Sequence, residues 1–471
     1  MEEYSNGKLI EFNNYLKGRS IALIGLGVSN IPLIDYLHNV GAIVTVFDKK
    51  EVSYIDRKVI EKIINYGIEY YFGEDYLDEL DEFDMIFRSP SCLPNNPDLV
   101  REAKRGAIIM TEVEMFMELC PCIIIGVTGS DGKTTTASLI YKILKDAGYN
   151  CYLGGNMGAP LFNKIYDIKP DDIVVLELSS LQLMDMKISP DISVITNISD
   201  THGKMHNSFD EYIEAITKIF MNQDEDGTVI LNYDCEYIKD IAVDAPGHVI
   251  FYSSKSKIPN GYMVDGDVIK VCKNGLRSHL LDTKRIILKG RHNFENATAA
   301  ICATKDLVET SKLLDSVINF EGVPHRLEIA KELSNRILWY NDSASEFPNR
   351  TIESIKAFPG RDLILIAGGY DKNYDYEELG KTIVRYGKAA ILLSQSSDRI
   401  EKAIKAALVD GKKDFDIKRC TSLYEAVFMA NKMTKTGDVV LYSPASSPLD
   451  AFKNYEERGE IFKGLVNEIV K

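Results

Sequence analysis

The chain has 471 residues, 45% of them apolar and 27% charged, and a net charge of −15. That is enough for two to four domains with ample core, in a composition ordinary for a soluble globular protein. The acidic balance argues against nucleic-acid or anionic-membrane binding, and no apolar run approaches the roughly 18 residues of a membrane span. Met1-Glu2-Glu3-Tyr4-Ser5 has no signal-peptide core. The eight cysteines are scattered, and Cys120-Pro121-Cys122 is not a metal-ligand spacing; they read as buried free thiols in a reducing cytoplasm.

Strands and helices alternate, which predicts parallel α/β sheets. Residues 20–24 form a strand, then Gly25-Leu26-Gly27-Val28-Ser29 leads into a helix to about residue 39. Residues 43–47 are the next strand, ending at Asp48, and 85–87 another, ending in Arg88-Ser89-Pro90-Ser91. Gly25, Gly27 and Asp48 are spaced like a dinucleotide fingerprint, but Asn30 stands where its third glycine belongs. The segment is either a Rossmann-like unit for another nucleotide or a tight strand–helix turn with no ligand.

A second unit opens with the apolar run 122–125 and continues Gly126-Val127-Thr128-Gly129-Ser130-Asp131-Gly132-Lys133-Thr134-Thr135. A helix follows, with apolar residues at helical spacing. Strand, glycine loop and helix make a phosphate cradle: glycines bare the backbone N–H groups and the helix N-terminus adds positive potential. Lys133 would reach the β- and γ-phosphates and the Thr134 hydroxyl a magnesium ion. The spacing departs from the standard phosphate-loop pattern, which wants glycine where Val127 stands. Strands are predicted at 173–176, 192–195 and 228–231, and short antiparallel strands over 245–290. Residues 320–324 read as a linker. A third α/β unit has strands at 363–366, 390–393 and 439–442, with helices near 397–408 and 422–433.

Polar constellations fall at strand ends and loops. Glu177, in Leu176-Glu177-Leu178-Ser179-Ser180, could face the loop and hold Mg²⁺, or cap the next segment. His202, after Asn197-Ile198-Ser199, sits at the carboxyl edge where α/β ligands bind. Downstream come Gly290-Arg291-His292-Asn293-Phe294-Glu295-Asn296, Pro324-His325-Arg326-Leu327-Glu328, Asn341-Asp342-Ser343, Gly368-Gly369-Tyr370-Asp371-Lys372, and Ser443-Pro444-Ala445 leading to Leu449-Asp450 and Tyr455.

In this order, over nearly the whole chain, these motifs resemble the Mur ligases, and most of all their D-glutamate-adding members. The resemblance implies three α/β domains: a Rossmann-like UDP-substrate domain (1–111), a central phosphate-loop ATPase-type domain with small appended antiparallel strands (112–322), and a Rossmann-like C-terminal domain (323–471). It implies a cytoplasmic, monomeric enzyme that uses ATP and Mg²⁺ and partners neither nucleic acid nor membrane. ATP phosphorylates a carboxylate on UDP-N-acetylmuramoyl-L-alanine, and the amine of D-glutamate displaces phosphate to give an amide. Carried over by motif, Gly129, Ser130, Asp131, Gly132, Lys133, Thr134 and Thr135 hold the phosphates. Thr134 and Glu177 hold one magnesium and His202 helps hold a second. Asn293 contacts adenine, Arg326 reaches the γ-phosphate and Asp342 binds the ribose. Gly27, Ser29, Asp48, Ser89 and Asn156 face the UDP-sugar substrate. Lys372, Glu346, Leu449 and Tyr455 face the amino-acid acceptor. ATP contacts from two domains imply that closure of the third assembles the site.

The chain departs from the family on the acceptor side. The family's carbamylated lysine, which bridges two magnesium ions, corresponds to Ile216, and Lys218 faces elsewhere on the helix. His202-Gly203-Lys204 replaces His-Leu-Asp. Glu346 and Pro448 replace hydroxyl residues that help bind D-glutamate. A carboxylate about 4 Å from another costs a few kcal/mol at intermediate dielectric. Two alternatives therefore stand beside D-glutamate ligation: a paralogue with another amino-acid acceptor, and a non-catalytic nucleotide-binding protein.

Overall fold

The computed structural model describes residues 4–470 apart from 157–159, 200–205, 289, 359, 373 and 410–414. It divides into two compact units, residues 1–320 and 321–471.

Unit 1 contains two sheets. The first has β1 (Ser20–Ile24), β2 (Ile43–Asp48), β3 (Glu69–Phe72), β4 (Met85–Arg88) and β5 (Ile108–Met110), all parallel in the order β3-β2-β1-β4-β5. Its central strands are near-continuous apolar runs, as expected where helices cover both faces. The helix Ile31–Val40 ends at Gly41, in the left-handed conformation (φ +87°) that glycine adopts without Cβ strain.

The second sheet comprises β6 (Ile123–Thr128), β7 (Cys151–Gly155), β8 (Ile173–Glu177), β9 (Ile192–Ile195), β10 (Thr228–Asn232), β11 (His248–Ser253), β12 (Gly261–Asp265), β13 (Val268–Lys273) and β14 (Leu276–Asp282). Their order is β14-β13-β12-β11-β10-β9-β6-β8-β7. Only the pairings β12–β13 and β13–β14 are antiparallel; β11 and β12 continue the parallel sheet. This corrects the expectation of antiparallel strands throughout 245–290: the short helix Ile238–Ile241 carries the chain back so that β11 starts beside the start of β10. The two sheets share one hydrophobic cluster, with Tyr36 edge-on to Phe162 at 4.5 Å between ring centroids.

Unit 2 has β15 (Glu328–Glu332), β16 (Leu338–Asn341), β17 (Leu363–Ala367), β18 (Gly387–Leu393), β19 (Asp416–Cys420) and β20 (Val439–Tyr442), in the order β15-β16-β20-β17-β18-β19. Only the edge strand β15 is antiparallel. Helices run Ser397–Val409 and Leu423–Met433, and two apolar clusters pack on the sheet.

Candidate active site

The chain runs from β6 to β7 and β8 on one side and then crosses to β9 on the other, so β6 lies at the switch in strand order. The loop beyond its carboxyl end is where open α/β sheets bind ligands. It leads directly into the helix Lys133–Ala147, whose first N–H groups have no intrahelical partner.

Two glycines in the loop are obligatory. Gly129 has φ +132°, and a Cβ there would lie 2.2 Å from Thr196 Oγ1. Gly132 has φ +79°, and a Cβ there would lie 2.3 Å from Asn296 Oδ1. The end of β9 braces the loop from outside. Asn197 Oδ1 accepts from the Asp131 N–H (2.9 Å), its Nδ2 donates to the Asp131 carbonyl (3.0 Å), and its carbonyl accepts from the Ser130 N–H (2.9 Å). The Ser130 hydroxyl meets Tyr212 OH at 2.8 Å and accepts from the Ser199 N–H at 2.8 Å. Asn197, Asn296 and Tyr212 were not singled out from the sequence. Asn197 and Asn296 lie inside polar motifs at a strand end and a helix start, which is the signal that could have found them.

Inside the cradle, Lys133 Nζ donates to the carbonyls of Gly129 (2.6 Å) and Ser130 (2.9 Å). The Thr134 hydroxyl donates to Glu177 Oε2 at 2.7 Å, and Asn156 Nδ2 donates to Glu177 Oε1 at 2.9 Å. Glu177 is the last residue of β8 and is buried, as is Thr134. A hydroxyl and a buried carboxylate at the mouth of a phosphate cradle form the oxygen-donor set that a hard divalent cation prefers. Thr135 follows on the same first helical turn.

His202 lies outside the described residues. The neighbouring His206 is buried, and its Nε2 lies 2.8 Å from Ser180 Oγ; burial pushes its pKa down, which favours the neutral ring. Ile216 is fully buried in the apolar cluster, and Lys218 lines a separate groove with Asp210 and Glu214. The chain thus presents no side chain at position 216 able to bridge a second magnesium. Asn293 lies in the first turn of the helix Arg291–Thr304, half-buried.

The carboxyl edge of the first sheet carries the residues expected at the UDP end. Asp48 is buried, with Oδ2 accepting from the Leu26 N–H (2.6 Å) and Oδ1 from the Lys50 N–H (2.8 Å), so its carboxylate shapes the turn holding Gly27. Asn30, at the missing third glycine, donates Nδ2 to the carbonyls of Ile24 (2.9 Å) and Gly25 (3.1 Å), which fastens the helix start to the strand end. Ser29 precedes it, half-buried. Gly25 (φ +86°) passes so close to the Ser89 side chain that a Cβ would lie 2.5 Å from its Oγ. Just past β2 opens a cleft of about 680 Å³ lined by tyrosines and by charges of both signs, Lys49 and Lys50 with Glu51, Glu74 and Asp75.

In unit 2, Asp342 is buried, accepting from Ser345 Oγ and Ser443 Oγ (2.7 Å each) and from the Leu327 N–H (3.1 Å). Burial pushes its pKa up, and the hydroxyl donors oppose the shift. Arg326 is half-buried beside His325, which occupies the left-handed region (φ +65°). Glu346 is half-buried; burial raises its pKa, against the pull of Arg458 and Lys372. Arg458 is buried and donates to the carbonyls of Ser446 (3.0 Å) and Ser343 (2.7 Å). Lys372 and Leu449 are exposed, and Pro448 is buried. Tyr455 lies edge-on to His325 at 5.9 Å, its hydroxyl pushed up to about 12, chiefly by burial.

Comparison with known proteins agrees with this geometry. Residues 19–111 match the N-terminal domain of MurD-like Mur ligases, and residues 127–304 match the Mur ligase middle domain. The UDP-N-acetylmuramoylalanine--D-glutamate ligase of Acetivibrio thermocellus is 41% identical over 98% of this chain and 99% of its own length. The protein of the same name from Clostridium tetani is 39% identical, with 98% and 99% coverage. Among solved structures, UDP-N-acetylmuramate-alanine ligase MurC from Thermotoga maritima matches 96% of this chain and 99% of its own, at TM-score 0.53 and 18% identity. MurF from the same organism, solved in complex with ADP, matches 97% of each chain at TM-score 0.51 and 16% identity. The chain belongs to the Mur ligase family, within its MurD-like branch.

Proposed function

We propose that this enzyme, a ligase forming C–N bonds, joins D-glutamate to UDP-N-acetylmuramoyl-L-alanine with conversion of ATP to ADP and phosphate, in peptidoglycan precursor synthesis. The observation that carries the reading is the meeting of Lys133, Thr134 and Glu177 at the end of β6 and β8, on a loop whose path only glycine allows at 129 and 132. A carboxylate is a poor electrophile until one oxygen becomes a leaving group, and phosphoryl transfer supplies that change. The protein's part is to hold and neutralise crowded anions. Lys133 would turn from the Gly129 and Ser130 carbonyls to the terminal phosphates. Thr134 and Glu177 would hold Mg²⁺, which supplies charge neutralisation to the phosphates when bound. Asn156, through Glu177, would keep that carboxylate aimed. His202 is proposed to help hold a second magnesium; Arg326, Asn293 and Asp342 are proposed nucleotide contacts; Gly27, Ser29, Asp48, Ser89 and Asn156 are proposed contacts to the UDP-sugar substrate. Lys372, Glu346, Leu449 and Tyr455 are proposed to face the acceptor. Residues 1–111, 112–322 and 323–471 are the proposed domain limits.

A second reading, a different amino-acid acceptor, is favoured by Glu346, which already sets a carboxylate against Lys372 and Arg458. Phosphate release with UDP-N-acetylmuramoyl-L-alanine and a panel of amino acids separates the two. Turnover with D-glutamate alone supports the first; turnover with another amino acid in its place supports the second. Absence of turnover with every amine would overturn both, and Lys133→Ala should abolish whatever activity is found. The enzyme is proposed to be monomeric and cytoplasmic; among the described residues no helix is long and apolar enough to cross a membrane.

A further inference from the structure

Arg88 is the last residue of β4, immediately before Ser89, and its side chain has no exposed surface. Its guanidinium makes two bonds to one carboxylate, Asp185: Nη2 to Oδ1, and Nε to Oδ2 at 3.1 Å. Nη1 donates to the Cys92 carbonyl at 3.2 Å. Asp185 belongs to the other sheet's machinery. It follows the short helix Ser180–Leu183, which follows Glu177. That stretch is stiff. Ser179 and Gln182 cap it reciprocally, the Leu178 carbonyl accepts from Thr128 Oγ1 at 2.8 Å, and the Lys187 N–H donates to Glu114 at 2.9 Å.

A buried guanidinium requires a counter-charge, and a two-point bond to a carboxylate fixes both separation and orientation. One ion pair therefore ties the turn at Ser89 to the backbone that carries Glu177. The two ends it joins are the UDP end of the first sheet and the phosphate loop of the second.

We propose that Arg88–Asp185 is a positioning pair, which sets the span between the turn holding the UDP end of the substrate and the Thr134–Glu177 corner where its carboxylate is phosphorylated. This rests on the ligase reading above. Neither residue is assigned a contact with a reacting atom; the pair acts through Ser89 and Glu177. The test uses the full-length protein. Asp185→Asn should lower kcat for phosphate release at least about tenfold, because sub-ångström alignment governs such transfers. Calorimetric affinities for UDP and for Mg·ATP, each of which loads one end only, should stay at wild-type values. The double variant Arg88→Met/Asp185→Leu removes both charges, so no uncompensated ion is left to unfold the protein; its melting temperature should return to the wild-type value while kcat stays low. A double variant that turns over like wild type would show the pair to be structural only, and so would an Asp185→Asn variant with wild-type kcat. Wild-type protein that releases no phosphate would instead bring down the ligase reading, and the pair's role with it.

Discussion

Glu112 opens the helix Glu112–Leu119, behind the N-cap Thr111. A carboxylate in a first helical turn gains about 0.3–1 kcal/mol from the helix dipole. Glu112 is only 5% exposed, however, and burial outweighs the helix and the Phe162 amide that bonds it, pushing its pKa up from 4.5 to about 7. At 1.36 kcal/mol per tenfold in proton affinity, that is on the order of 3 kcal/mol. The folded state holds the proton more tightly than the unfolded chain. The contribution is therefore fully present below the unfolded pKa of about 4.5 and is lost as pH rises through about 7. Glu112→Gln replaces the acid with a neutral group of the same shape, which keeps an acceptor for the Phe162 amide. Near pH 8 the variant should be the more stable protein, by roughly 4 °C in the unit 1 transition at about 2.1 cal/mol/K per residue. Near pH 4, below the unfolded pKa, the advantage should fall almost to nothing. Scanning calorimetry at the two pH values reads this directly. An advantage that is absent at the higher pH, or equal at both, would show that burial does not govern this carboxyl.

Gly132→Ala forces a left-handed alanine against Asn296, a backbone cost of about 1–2 kcal/mol, and should weaken Mg·ATP about tenfold by calorimetry; wild-type affinity would mean the loop tolerates a Cβ. Thr134→Val keeps the shape but removes the hydroxyl donor to Glu177 Oε2, a loss of about 1–3 kcal/mol, and should move the Mg²⁺ dependence of phosphate release to higher concentration; an unchanged Mg²⁺ titration would count against Thr134 as a ligand. Ile216→Lys puts an ammonium into the apolar cluster and should destabilise unit 1 by several kcal/mol in denaturant titration; wild-type stability would show that position 216 faces the site.

The phosphate loop was legible because its chemistry is local. Glycines, lysine and threonine lie within seven residues, between an apolar run and a helical period, and the structure places Glu177 against Thr134 as the strand-end position suggested. The strands β3, β5, β15 and β19 were not legible. They lie at sheet edges and are only half-covered; β3, β15 and β19 mix charged with apolar residues, and the apolar β5 is only three residues long, so neither alternation nor a long apolar run marks them. Asn30 shows a further limit. Read as a missing glycine it weakened the fingerprint, yet its side chain ties the helix start to the carbonyls of Ile24 and Gly25.

Long-range charge placement was the least legible, and Glu346 shows why. From the sequence alone its carboxylate looks like a direct opponent of an acidic acceptor. In the structure it sits near Arg458, more than a hundred residues later, and Lys372, whose charges oppose the rise that burial imposes. Arg458 is buried and donates to backbone carbonyls at Ser343 and Ser446, so its charge is fixed in place, whereas Lys372 is exposed and able to reorient. The cost to a bound D-glutamate is therefore set by a nearly neutral group, two cations against the carboxylates of Glu346 and Glu456, and not by one carboxylate alone. At a half-exposed position this reduces the pairwise repulsion from a few kcal/mol toward the roughly 1 kcal/mol of a screened pair, a handicap in KM that leaves D-glutamate a workable acceptor.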